Sequence, residues 1–110
     1  MTVGESTMRA VYPDARNPFA FPELLADEGL EAWAVSEVWL TASPRTDHAV
    51  DVTDVVDRKW AALGSHVSQV GHWPEGQMRE FVGGWMKATA ERFGLPEGRY
   101  AEAFQVVYTA

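Results

Sequence analysis

AVDVTDVVDRKWAALGSHVSQ, Ala49 to Gln69, passes from a strand into a helix and then into a polar turn. Val50 and Val52 alternate with Asp51, the period-two pattern of a half-buried strand. Thr53 suits an N-cap, since its hydroxyl can accept an orphan N–H of the first helical turn. Asp54 and Asp57 then fall near the positive end of the helix dipole. Val56, Trp60, Leu63 and Val67 recur at helical spacing and make one apolar stripe. The helix fades around Gly64 into Ser65, His66, Ser68 and Gln69. These are side chains able to bind a polar ligand, gathered just beyond a rigid element.

The flanking segments supply the partners for this unit. Upstream, Val35–Ala42 (VSEVWLTA) is rich in β-branched and aromatic residues and reads as the best strand. It closes in the loop Ser43–Asp47, and Ala49–Val52 is the second strand. Both are apolar on both sides, as burial against helices requires. Downstream, Val70–Pro74 is a loop and Glu75–Phe93 is the strongest helix signal. There Met78, Phe81, Val82, Trp85, Met86, Thr89 and Phe93 recur at three- and four-residue steps. Pro74 suits its start, and Gly94 followed by Pro96 suits its end. Gly83-Gly84 is costly inside a helix, about 1 kcal/mol per glycine relative to alanine. Either the close approach of a neighbour or a tolerated weakness accounts for the pair. Ala103–Thr109 reads as a third strand.

The first third is less regular. Thr2–Val11 reads as the last turns of a helix without a cap signal. Tyr12–Pro22 holds three prolines, each of which disfavours helix at the residue before it. It is an irregular loop, yet an apolar one, because Phe19 and Phe21 favour burial. Pro22 is a favoured first helical residue, so Glu23–Glu28 forms a helical turn that Gly29 ends. The expectation is one α/β domain with no repeats or linkers.

A chain of 110 residues can bury a real core, and 46% hydrophobic residues place it among globular proteins. Its five tryptophans are expected mostly in that core, the alternative being that some cover surface a missing neighbour would otherwise cover. The formal net charge is −7. The densest basic spot, Arg58-Lys59, is expected on the exposed side of a helix, so neither nucleic acid nor an anionic membrane surface is expected as a partner. No apolar run is long enough to span a membrane, and no signal peptide is visible. The absence of cysteine removes thiolate zinc sites and disulfides, and fits a cytoplasmic chain.

The histidines do not form a metal motif. His66 and His72 straddle a helix end and a glycine loop, a spacing that matches no standard zinc arrangement. Asp47, His48 and Asp51 would scatter over two faces of a strand. Capping and dipole complementarity account for Asp54 and Asp57 better than a cation site does. There is no glycine-rich phosphate loop, serine elbow or paired-carboxylate motif. His66, Ser68 and Gln69 remain, either as a turn that satisfies helix carbonyls or as a rim that hydrogen-bonds a hydroxylated ligand.

Four stretches together resemble the C-terminal half of the PIG-L (LmbE-like) zinc-dependent N-deacetylases. They are YPDARNPFAFPELL (12–25), VSEVWLT (35–41), VDVTDVVDRKWAALGSHVSQ (50–69) and YAEAFQVV (100–107). The resemblance runs from about Val3 to the end. Its most specific feature is the helix ending in His-x-Ser-Gln, followed by the tyrosine–acidic–alanine–phenylalanine start of a strand.

That resemblance implies the C-terminal part of a Rossmann-like α/β fold. Residues 1–110 would form a single partial domain of about three strands and two main helices, lacking the N-terminal strands. It also implies a hydrolase family that removes acetyl groups from N-acetylglucosamine-type substrates. In that family a His-Pro-Asp-Asp motif and a later His-Pro-Asp-His motif supply the zinc ligands and the general base. Neither motif is in this sequence, so no catalytic or metal residue carries over, and zinc belongs to the full-length family. The expectation is a fragment inactive by itself, with His66, Ser68 and Gln69 as a substrate-side loop. The alternative is a non-catalytic binding or assembly module. It would pair with a separate N-terminal half or self-associate through an exposed strand edge.

Overall fold

The computed structural model describes residues 2–110. The chain is mixed α/β, with five α-helical segments and a three-stranded antiparallel sheet ordered β1-β3-β2. The helices are α1 (Val3–Arg9), α2 (Pro22–Glu28), α3 (Val56–Gly64), α4 (Val67–Val70) and α5 (Gln77–Arg92). The strands are β1 (Glu37–Leu40), β2 (His48–Asp51) and β3 (Ala101–Tyr108). No helix among the described residues is long and apolar enough to cross a membrane. Contacts divide the chain into two compact units. One holds the residues up to Trp39 together with Val106–Ala110, and the other is Leu40–Gln105.

The Leu40–Gln105 unit has a true core. Val56 and Trp60 of α3 pack with Met86 of α5, flanked by Val52, Leu63, Val82 and Tyr100. The Trp60 and Tyr100 rings meet edge to face at 6.1 Å, a geometry that aligns the positive ring edge with the negative face. β2 runs antiparallel to β3, with His48 opposite Phe104 and Asp51 opposite Ala101. Lys59, expected in solvent, is half-buried and ion-paired with Glu102 of β3.

Gly83 and Gly84 have different explanations. A Cβ on Gly83 would lie 3.3 Å from the Tyr100 ring and 3.6 Å from Trp60, so the close approach is real there. At Gly84 a Cβ would meet nothing within 4 Å. α5 ends as its sequence suggests. Gly94 takes a left-handed φ of 76°, its N–H donates to Glu91 O, and the Leu95 N–H donates to Ala90 O. That pair of bonds satisfies the last carbonyls of the helix.

The other unit differs. α1 does have a cap, contrary to the sequence expectation: the Thr2 hydroxyl accepts from the Glu5 N–H at 3.3 Å. The chain then turns through a kink over Ala10–Asp14, where Tyr12 is extended at φ −152° and ψ 126°. Trp33 N–H donates to Ala15 O at 2.7 Å and ties the far side of α2 to this turn. At the other end, Thr109 donates from its N–H to Ser36 O and from its hydroxyl to Val35 O. None of the described residues in this unit is fully buried. Phe19 is 87% exposed and Trp33 71%.

The expectation of a mostly buried tryptophan set therefore fails. Trp60 is buried and Trp73 half-buried, whereas Trp33, Trp39 and Trp85 are exposed. Val67 also leaves the expected stripe, at 71% exposure, because the chain breaks at His66 and restarts as α4.

Candidate functional site

Two neighbouring features of the Leu40–Gln105 unit have the makings of a site. The first is the polar turn after α3. Ser65 closes the helix: its N–H donates to Ala61 O and Ala62 O, and its hydroxyl donates to Ala62 O at 2.6 Å. His66 leaves the helical conformation, with φ −83° and ψ 61°, and its carbonyl accepts the N–H groups of Gln69 and Val70. The backbone and Ser65 thus hold the turn, and the side chains of His66, Ser68 and Gln69 stand in solvent. Gln69 Nε2 donates to Ser68 Oγ at 3.5 Å, so these two are brought together. Gly71 closes α4 tightly, since a Cβ there would sit 2.5 Å from Val67 O. Only glycine fits without a shift.

The second feature is a row of rings directly downstream. His72 and Trp73 lie 6.4 Å apart by ring centroid, Trp73 and Phe81 5.7 Å, and Phe81 and Trp85 4.7 Å. His72, Trp73, Pro74, Gln77 and Phe81 line an open groove of about 440 Å³. An apolar wall with an imidazole and a carboxamide at its rim has the composition of a ligand cleft. His66, Ser68 and Gln69 do not line this groove. Phe81 and Trp85 belong to the expected apolar periodicity of α5, and Trp85 was expected in the core, yet both are exposed. Nothing in their spacing distinguished an exposed row from a buried stripe.

The same unit carries a charged anchor. Asp51 Oδ1 accepts the Thr53 N–H at 3.0 Å and the Thr53 hydroxyl at 2.6 Å, and Oδ2 accepts Arg99 Nε at 2.7 Å. These bonds favour the carboxylate and lower its pKa from the ordinary value to about 2, the Thr53 hydroxyl contributing most and Arg99 next. The Asp51 carboxylate in turn raises the Arg99 pKa, first by its hydrogen bond and then by its charge. Thr53 does not cap α3 as expected: the helix begins at Val56 after a 3-10 turn over Thr53–Val55, and neither start has a side-chain cap. The Thr53 hydroxyl is instead used across the sheet, where it accepts the Tyr100 N–H at 2.9 Å. A carboxylate held this acidic is an anchor, since a general base at neutral pH needs a pKa near 7.

Among the described residues no group of three or more His, Asp or Glu side chains could hold a metal ion. The chain's own residues therefore do not fit a zinc centre. What they offer is a surface that can stack an apolar ring face and hydrogen-bond polar groups beside it. No known protein family, curated protein or solved structure matches the chain.

Proposed function

We propose that this chain is the C-terminal part of a PIG-L-type zinc-dependent N-deacetylase domain, inactive by itself. Its role is to supply the substrate-side surface of the enzyme. The support is the ordered resemblance of its four stretches together with one structural observation. The unit carrying α1 and α2 buries no residue fully, while Val3 and Phe19, outside its cavity, lie open. Burial of apolar surface is the main favourable term in folding, and such a unit lacks it until further protein covers it.

In the complete domain the three strands would sit at the border of a Rossmann-like sheet, where antiparallel strands are common. Zinc, held by ligands from the N-terminal part, would supply a water acidic enough to attack an amide. The residues of this chain bind and orient. His66, Ser68 and Gln69 donate and accept hydrogen bonds from the hydroxyl groups of an N-acetylglucosamine-type substrate. The lack of cysteine supports a cytoplasmic enzyme.

A second reading, an assembly module that pairs with a separate N-terminal half, is favoured by the sheet order. β1 has a strand neighbour on one side only, and such an edge is a template for pairing with another chain.

The test is purification of the chain from its own host by a chromosomal tag, followed by zinc analysis and an assay on an N-acetylglucosaminide. Stoichiometric zinc and deacetylation are expected from the longer product or complex, and neither from these 110 residues alone. A complex with zinc and activity split over two chains would favour the assembly module. A stable 110-residue monomer with no partner and no zinc would contradict both.

A further inference from the structure

The unit containing α1 and α2 carries a cradle of about 340 Å³. Its walls are Phe21, Leu24 and Leu25 on one side and Leu30 and Trp33 on the other, all substantially exposed. Its shape is fixed by the backbone. Trp33 N–H bonds Ala15 O, Asn17 Oδ1 accepts the Phe19 N–H at 3.0 Å, and Gly29 turns the chain back with a left-handed φ of 69°. Phe21 itself sits at φ 50° and ψ 55°, directly before a proline. An L-residue with a bulky side chain rarely adopts that conformation, and residue types before proline favour extended backbone. Strained residues of this kind persist where the surroundings impose them, often at ligand clamps.

The charged side chains that line the cradle are both acidic. Asp14 and Glu31 line it, and α2 brings Glu23, Asp27 and Glu28. The basic side chains of this unit are Arg9 and Arg16. Arg9 lies 3.8 Å from Glu5, and Arg16 donates to Thr109 O at 3.4 Å. A second copy of this chain, at −7, would bring like charge to an acidic rim. An anionic membrane would do the same.

We propose that this cradle docks a basic amphipathic peptide segment of another protein. The segment's leucine-like side chains would enter between Phe21, Leu24 and Trp33, and its lysines or arginines would pair with Asp14 and Glu31. Apolar anchors set in a charged rim are a recurring mode of helix-in-groove recognition. The proposal stands on the cradle alone and does not depend on the deacetylase reading.

The probe is a fluorescent helical Lys/Leu peptide, compared with a Glu/Leu peptide of the same pattern and a Lys/Ser peptide, in anisotropy titrations on the full chain. The Lys/Leu peptide is expected to bind at least tenfold more tightly than either control, and more weakly as salt rises. Asp14→Lys and Glu31→Lys should each lower that affinity about tenfold, as should Trp33→Ala. Glu75→Lys and Glu91→Lys, exposed on the other unit, should change it less than twofold. Hydrogen exchange on the unaltered protein guards against misfolded variants, and peptide should protect residues 14–33. Equal binding of the Lys/Ser peptide, equal loss in the control variants, or protection elsewhere would overturn the proposal. Protection of 14–33 that rises with protein concentration alone would overturn it in favour of a second copy.

Discussion

Asp51 joins the end of β2 to the segment before β3 through Thr53 and Arg99, and its charge has a pH signature. An ordinary aspartate titrates near 3.9, whereas in the fold Asp51 titrates at about 2. The folded state therefore favours the charged form. Its contribution to stability is complete above about pH 4 and is lost as the pH falls towards 2. Urea unfolding across this range should show Asp51→Asn less stable than the native chain at pH 6 and nearly equal to it at pH 2. A constant gap across that range would contradict the assignment. Thr53→Val removes a donor to Asp51 and leaves the Tyr100 N–H without its acceptor, at a cost of about 1–3 kcal/mol. The two adjacent glycines of α5 make a second residue-scale contrast. Gly84→Ala should stabilise by about 0.5–1 kcal/mol, the usual helix gain. Gly83→Ala should fall short of it by about 1 kcal/mol or more, because the methyl presses on Tyr100. Thermal melts of both variants measure the difference directly.

At the scale of elements, α3 and α5 share the core, and their tryptophans are not equivalent. Trp60→Ala should cost about 3–5 kcal/mol, the usual penalty for a buried aromatic. Trp85→Ala should stay within about 0.5 kcal/mol in the chain alone, because the ring is 63% exposed. Chemical denaturation of the two variants tests that contrast. The same elements show what a sequence can and cannot convey. The periodicity of α5, its Gly94 terminus and the strand character of β1, β2 and β3 were legible, because each rests on local chemistry. Which face of α5 meets solvent was not. Phe81 and Trp85 belong to the same apolar stripe as Met86, and a stripe records what prefers burial, not whether a neighbour is there. That Thr53 would fail to cap α3 was illegible for a related reason, since its hydroxyl and the Asp51 carboxylate find their partners in Tyr100 and Arg99, forty-odd residues away. His66, Ser68 and Gln69 were legible as a polar turn. The end of α3 at Gly64 was legible too, but the restart as α4 that carries Val67 out of the stripe was not.

At the scale of the molecule, a core of Val56, Trp60 and Met86 lies in one unit, while the other has no fully buried residue. A polypeptide with so much uncovered apolar surface should bind a hydrophobic dye strongly. Under the proposed deacetylase reading, cover from the remainder of the domain should lower that binding sharply. The most direct measurement is the native mass, subunit content and dye binding of the endogenous protein, captured with an antibody to Gln77–Arg92. The expected result is a species well above the mass of these 110 residues, either one longer chain or a complex. That species should contain the His-Pro-Asp-Asp and His-Pro-Asp-His segments and show little dye binding. A monomer of these residues alone, stable and without dye binding, would contradict the account.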